Sequence, residues 1–546
     1  REYDIILYII WMIRVTIMNE IRVEKLYTVL QGDFSIDEYK EACSQLKELS
    51  LEYRSLKNGE NINTGEKVEK PSQIYAKEHR VFVNKCLSPF PKRGERKNVY
   101  IKWVDMSSII DGGCDGTEIH LDVMTPQMLL TDYYFYLNNA DWFDGERNIN
   151  RRETEIFYKP WYYAFDQNEK TVFNEKIVSK LKRKVNDEYE WFEAEIYTEG
   201  KNVENEVEGN LSFCASKFEI REIFLEVKGK VQNKDLQKAI DEVDDVPNSS
   251  QISKMTTGGS AGFPDNVGCN SKAYVYNVGQ ANCIYIYLKN FTGADIKVFF
   301  DAGQPLPFFE NGISTNTDLK GTTAVTENID KLSHFKPDII IISHWHYDHM
   351  MGLLTLGDWA YEAIKYKKKN NCQWIAPVPD HDAWGKYRRL LNYLIIRKKI
   401  CFVDFNTSQT NSGKVWENKN KNVIIYQGNK WEAKDLNCSS LILKIKDTVF
   451  AGDCLYQYWP DELKNNINDI QNLVVPHHAC ELDTSNEGVL NLKTNFSNGK
   501  AIICSGYNTY SHPNNDHINL LKQKFLFVET TGGAANSNKF ERININ

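Results

Sequence analysis

A chain of 546 residues is too long for one ordinary core, so about two to four domains are expected. A hydrophobic content of 42% with 12% aromatics excludes a disordered or fibrous chain. The net charge of -8 excludes a broadly basic nucleic-acid surface while leaving room for a local basic channel, and 12 singly spaced cysteines without a CxxC pair predict reduced thiols in a cytoplasmic protein.

In chain order, the apolar run Ile5–Ile13 is cut off by Arg14. It is too short to span a bilayer and lacks a signal-peptide cleavage pattern, so no membrane association is expected. The first residue is not Met, and Met12 and Met18 are candidate natural starts. Ser35-Ile36-Asp37-Glu38 is a capping box that opens a helix to about Tyr53, with Leu46 and Leu49 on its apolar face. Short apolar runs from Val81 to Asp111 carry a basic insert of Lys92, Arg93, Arg96 and Lys97. Residues 125–165 are rich in aromatics, among them Tyr133, Trp142, Trp161 and Tyr162, and read as core before they read as a base-stacking platform. Residues 170–184 predict a helix with Lys176, Lys180, Lys182, Arg183 and Lys184, first a solvated face and second a phosphate contact. Glu188–Tyr197 alternates, and Leu211–Val231 reads strand, turn, strand. Residues 1–245 are therefore an α+β region of open role, a candidate recognition or regulatory domain through which a protein partner could bind.

Residues 246–268, rich in Ser, Thr, Gly and Pro, read as a linker, and the main domain boundary falls there. Beyond it, Ala273–Asn277 and Cys283–Leu288 are strands around a Gly279-Gln280 turn, and Val298–Phe300 ends in Asp301-Ala302-Gly303. Ile339–Ile342 reads as a buried strand, followed by His344, His346, Asp348 and His349 within six positions. Histidine is scarce, 11 in the chain, and three of them fall in that hexapeptide, which makes an incidental polar loop the weaker reading. Imidazole and carboxylate so concentrated suit a zinc-like or manganese-like divalent ion. His344 and His346 can face one ion and Asp348 with His349 a second.

A helix over Trp359–Lys369 carries Lys365, Lys367, Lys368 and Lys369, and Arg388, Arg389, Arg397, Lys398 and Lys399 form a second basic patch. Together they favour a phosphate-bearing substrate, although each alone reads equally as a solvated face. Leu441–Ile445 and Thr448–Phe450 lead into Ala451-Gly452-Asp453, and Leu473–Val475 into Pro476-His477-His478. Ala501–Cys504 runs into Ser505-Gly506-Tyr507-Asn508 and then Ser511-His512-Pro513. Four strand ends that carry His or Asp are expected to meet in space.

Val278-Gly279-Gln280, Phe299-Phe300-Asp301-Ala302-Gly303, the HxHxDH core at 344–349, Ala451-Gly452-Asp453, Val475-Pro476-His477-His478 and Ser511-His512-Pro513 occur in this order. Over about 270–546 the set resembles the metallo-β-lactamase fold, and within it the soluble hydrolase domain of ComEC-type DNA-uptake proteins. The resemblance implies an α/β domain at 269–546, an αββα sandwich with a one- or two-metal site (Zn²⁺ or Mn²⁺) at one edge of its sheets. It implies that His344 and His346 bind one ion, Asp348 and His349 the other, that Asp453 bridges, that His477 or His478 completes the set, and that His512 lies near the substrate. Gln280, Asn508, Lys367 and Lys368 are candidate substrate contacts. The chain departs from the family pattern at Asn277, Ala281 and Met351, and His381 is the only candidate for the usual middle histidine.

The function implied is a metal-dependent hydrolase, a phosphodiesterase or nuclease on DNA or RNA, with Asp348 and His512 handling protons around a metal-activated water. The alternatives are a hydrolase of small phosphoesters or other esters, and a binding or signalling protein with a vestigial site.

Overall fold

The computed structural model describes stretches within 91–104, 118–125, 161–166, 172–213, 221–240, 261–303, 335–350, 372–379, 391–403, 413–429, 436–491, 496–505, 512–531 and 540–545. The predicted helices at 35–53 and 359–369, most of the aromatic-rich segment, the second basic patch, Gln280, Lys367, Lys368, His381 and Asn508 lie outside these residues.

Among the described residues of the N-terminal half, six strands form one sheet: β1 (Arg96–Val104), β2 (Glu118–Met124), β3 (Trp161–Asp166), β4 (Trp191–Tyr197), β5 (Glu206–Phe213) and β6 (Arg221–Lys230). They close into a barrel in the order β1-β2-β3-β5-β6-β4, and the return pairing sets Ile101 of β1 opposite Phe192 of β4. Val99, Ile101, Leu121, Ala194, Ile196, Leu211 and Leu225 are buried, alternating along their strands as a filled small barrel requires. Closure removes the unpaired edges that an open sheet would expose. Helix α1 (Val172–Leu181) follows β3 and buries Ile177, Val178 and Leu181. Among the described residues, the α+β expectation is thus met by a closed barrel that carries α1.

The C-terminal half is a two-sheet sandwich. Its first sheet contains β7 (Ser271–Tyr276), β8 (Cys283–Leu288), β9 (Ile296–Ala302), β10 (Ile339–Ile341), β11 (Gln373–Pro377) and β12 (Ile400–Val403). The last strand of the domain, β20 (Phe540–Ile545), adds to its β7 edge, giving the order β12-β11-β10-β9-β8-β7-β20. The second sheet contains β13 (Lys414–Glu417), β14 (Val423–Gln427), β15 (Leu441–Ile445), β16 (Thr448–Phe450), β17 (Asn472–Val474), β18 (Phe496–Ile503) and β19 (Phe525–Thr530), in sequence order across the sheet. Strands β9 to β12 are parallel, as are β16 to β19.

The side-chain period of two sorts the strands between layers. Leu441, Leu443 and Ile445 face the core shared by the two sheets, with Ile284, Phe300, Ile341, Phe450, Val474 and Ile502. The rings of Phe300 and Phe450, one from each sheet, lie 6.0 Å apart. Ile442, Val449, Leu473 and Ile503 point the other way, against Tyr456, Trp459, Leu463 and Leu521. Leu463 belongs to α2 (Asp461–Asn465) and Leu521 to α4 (Asn515–Lys524), with α3 (Thr484–Asn491) between them in sequence. Strands covered on both faces read as continuous aliphatic runs, which is why these are so apolar. Each fully buried Leu, Ile or Phe contributes roughly 1.5–3 kcal/mol of transfer free energy.

Among the described residues, no helix is long and apolar enough to cross a membrane, and the eight cysteines present there are free thiols.

Candidate metal centre

Parallel strands end on the same side, so β9, β10, β16, β17 and β18 deliver their C-terminal residues to one rim. Binding sites of open α/β sheets form outside those carboxyl ends. There Asp348, His349, Asp453 and His478 bring one ligand atom each within 4.8 Å of one another, and so do His344, His346 and Asp453. All six residues are buried, and Asp453 belongs to both groups.

The loop after β10 is anchored by Asp301 at the end of β9. The Ser343 backbone N–H donates to Asp301 Oδ1 (2.6 Å), and its hydroxyl donates to Oδ2 (2.8 Å). His349 Nδ1 also donates to Asp301 Oδ2, at 2.7 Å, which leaves its Nε2 lone pair facing inward. That Nε2 lies 3.0 Å from Asp453 Oδ1 and 3.7 Å from Asp348 Oδ2. His478 is set the same way: Nδ1 donates to the Cys504 carbonyl at 2.8 Å, and Nε2 lies 3.0 Å from Asp348 Oδ2. His344 Nδ1 rests 3.0 Å from Ser343 Oγ, and its Nε2 is 3.8 Å from Asp453 Oδ2. In these three histidines Nδ1 is held and Nε2 faces the acids.

Backbone conformation makes the convergence possible. Gly303 lies so close to the loop that a Cβ there would fall 1.5 Å from the Asp348 carbonyl oxygen. Gly452 has φ +55° and would set a Cβ 2.7 Å from Ser343 Cβ, so Ala or larger is excluded on two grounds. Asp301 is left-handed (φ 55°), and so are three residues in succession, His477, His478 and Ala479 (φ 49°, 50° and 60°). Left-handed non-glycine residues are costly and cluster at functional sites. This turn sends His478 into the cluster and His477 out of it.

The electrostatics are those of a site built around positive charge. Burial pulls His349 and His478 down, but Asp453, reinforced by Asp348, outweighs it and raises both above the ordinary histidine value. Burial pushes Asp453 up, yet His349 and His478 hold it well below the usual carboxylate range. His344 goes the other way, driven well below 6.5 by burial and then by His349 and His346. Burial raises Asp301. No hydrogen bond reaches His344 Nε2, Asp348 Oδ1 or either oxygen of Asp453, although all are buried. Buried polar atoms normally find partners, so acceptors left open toward one point need a cation there. A divalent ion with nitrogen and oxygen ligands fits this donor set.

Of the residues singled out in the sequence, His344, His346, Asp348, His349, Asp453 and His478 come together. His477 belongs to neither group; its ring lies 5.4 Å from that of His512, and its Nε2 is 3.5 Å from Asn437 Nδ2. Asp301, Ser343 and the Cys504 carbonyl were not singled out as site groups. Asp301 enters the sequence reading only within the Phe299–Gly303 motif, at a strand end where an aspartate is normally a turn residue.

No protein-family model matches the chain, and no curated protein is similar to it. Among solved structures, the crystal structure of a long form RNase Z from yeast matches with a TM-score of 0.30 and 11% identity. That match covers 65% of this chain and 51% of the other, so the chain spans about half the length of its neighbour. A likeness so distant carries no weight for function. The sandwich and its rim cluster stand on their own geometry, and they are the architecture that the ordered motifs imply.

Proposed function

We propose that the chain is a metal-dependent hydrolase whose substrate is a phosphodiester, in DNA or RNA before a small molecule, and that it belongs with the ComEC-type branch. The observation that carries this reading is Asp453: one buried carboxylate common to two ligand groups, with both oxygens lacking hydrogen bonds. In this reading His344, His346 and Asp453 hold one divalent ion, zinc or manganese. Asp348, His349, His478 and Asp453 hold the other. Such ions lower the pKa of a bound water toward neutral and offset charge that grows on phosphoryl oxygens.

The chain's own residues do the rest. Asp301 and the Cys504 carbonyl fix the tautomers of His349 and His478 by accepting their Nδ1 protons. Asp348, whose Oδ1 has no hydrogen-bond partner, orients the attacking water and accepts its proton. His512, beside His477, protonates the leaving oxygen. Burial of the cluster excludes bulk water and strengthens each of these interactions.

Asp453→Ala tests the reading. Chelator-stripped protein is reloaded with Zn²⁺ or Mn²⁺ and given bis-p-nitrophenyl phosphate beside single- and double-stranded DNA and RNA. The wild type should turn over with metal, and the variant should lose about a thousandfold, ~4 kcal/mol of transition-state stabilisation. Cleavage of the small ester alone would make the protein a small-molecule phosphodiesterase. A variant with wild-type turnover and metal content would refute the assignment.

A further inference from the structure

The basic run at the end of the predicted 170–184 helix reads in the sequence first as a solvated face and second as a phosphate contact. Lys182, Arg183 and Lys184 follow α1 and are all exposed. Their backbone is fixed, because Lys182 N–H donates to the Val178 carbonyl, Arg183 N–H to that of Lys180, and Glu190 N–H returns to that of Arg183. A two-residue ladder, Lys184–Val185 against Glu188–Tyr189, pairs Lys184 with Tyr189.

Lys182 and Lys184 rest on aromatic rings, as Lys201 does on Tyr197 and Lys102 on Trp191. Elsewhere on the barrel, Arg93, Arg96, Lys228 and Lys230 pair with carboxylates: Glu199, Glu195, Glu226 and Glu190 respectively. Lys182 Nζ instead lies 4.7 Å from the centroid of the Trp103 ring, and Lys184 Nζ 4.4 Å from that of Tyr189. The two rings adjoin, with centroids 6.2 Å apart, so both ammonium groups rest on one aromatic platform. A carboxylate partner would cancel the charge. A ring face holds an ammonium in place and leaves its full charge outward.

Among the described residues none of the three is paired with a carboxylate, so two ring-held ammonium groups flanking a guanidinium present a short row of positive charge in a chain whose net charge is -8. The chemistry that matches such a row is a row of phosphates. Trp103 is only 9% exposed, so its ring positions Lys182 and is not itself open to bases or to a bilayer. We propose that this corner of the barrel binds the phosphate backbone of a nucleic acid, without reading its sequence, and gives the hydrolase its hold on a polymer. The inference deepens the phosphodiesterase reading and rests on it for the role of the bound strand.

The test is fluorescence anisotropy of labelled single-stranded DNA and RNA with the full chain in EDTA, as a function of salt. EDTA stops metal-dependent cleavage, so binding is read alone, while hydrolysis of bis-p-nitrophenyl phosphate by the metal-loaded wild type reads the rim cluster alone. Replacing Lys182, Arg183 and Lys184 together by Ala should weaken binding about tenfold or more and lower the slope of log K against log salt by about two. The double variant Lys182→Arg, Lys184→Arg, which keeps both charges and lets each cation stack on its ring, should keep the salt slope of the wild type. Three results would overturn the proposal. The wild type could bind phosphatidylserine vesicles but no oligonucleotide. The alanine variant could keep its affinity and salt slope. It could also lose only thermal stability, in which case the cations merely cap the carbonyl end of α1. Binding lost in the alanine variant, with no ester hydrolysis by the wild type, would sink the phosphodiesterase reading and leave the contact standing.

Discussion

Asp453 is buried at the meeting point of His344, His349 and His478, and its low proton affinity comes from those histidines overcoming burial. A few residues away in space the same physics acts on a histidine with no acid partner. His517 Nδ1 donates to the Cys480 carbonyl at 2.8 Å, and its Nε2 is 3.0 Å from the Tyr456 hydroxyl. Burial, the largest cause, holds it down to about 4. A folded value below the unfolded 6.5 means that the neutral ring stabilises the fold above that pH. The contribution is then lost as pH falls from about 6.5 to about 4. Between pH 7 and 5 the wild type should therefore lose about 2 kcal/mol more stability than His517→Gln in urea unfolding. Equal pH slopes would show that His517 is not buried neutral. At this scale the HxHxDH residues were legible because four ligand-type side chains in six positions have few structural explanations. The role of Asp301 as anchor of that loop was not, because its partners Ser343 and His349 lie 42 and 48 residues away.

The elements that carry the centre are short strands whose ends are forced into tight turns. The bounds of β8, β15 and β16 were legible, since short, mostly apolar runs of strand length between turn residues read as buried strands. β14, β19 and β20 were not singled out. β19 exposes Leu526 and Phe527, so its pattern departs from the usual alternation, and β20 pairs with β7, far back in the chain. The end of β9 is the point where strand geometry and the centre meet. Gly303 N–H donates to the Asn282 carbonyl, and Asn282 N–H to that of Asp348. Gly303→Ala cannot be accommodated without moving the Asp348 backbone. It should destabilise the fold by about 2–4 kcal/mol and weaken metal binding, read by thermal unfolding with and without Zn²⁺. A variant with wild-type melting in both conditions would show that the loop does not pack on Gly303 as described.

Across the whole molecule, a closed barrel and a two-sheet sandwich divide the chain. Fold class was legible for the sandwich because four strand ends that carry His or Asp all ask for one rim. The barrel was not. Its closure rests on β1 pairing with β4 across some ninety residues, as in Arg96 opposite Tyr197 and Lys102 opposite Trp191, and no local pattern encodes so distant a register. Its lysine-bearing corner was visible only as a charge run, since the rings of Trp103 and Tyr189 come from separate strands. In the proposed function, buried acids and histidines from both sheets hold two ions through one shared carboxylate. The most direct measurement is metal content per chain after stripping and reloading with Zn²⁺ or Mn²⁺, for the wild type, His346→Ala, His478→Ala and Asp453→Ala. The account predicts about two ions in the wild type, about one in each histidine variant, and weakened binding of both in Asp453→Ala. Unchanged metal content in Asp453→Ala would contradict it.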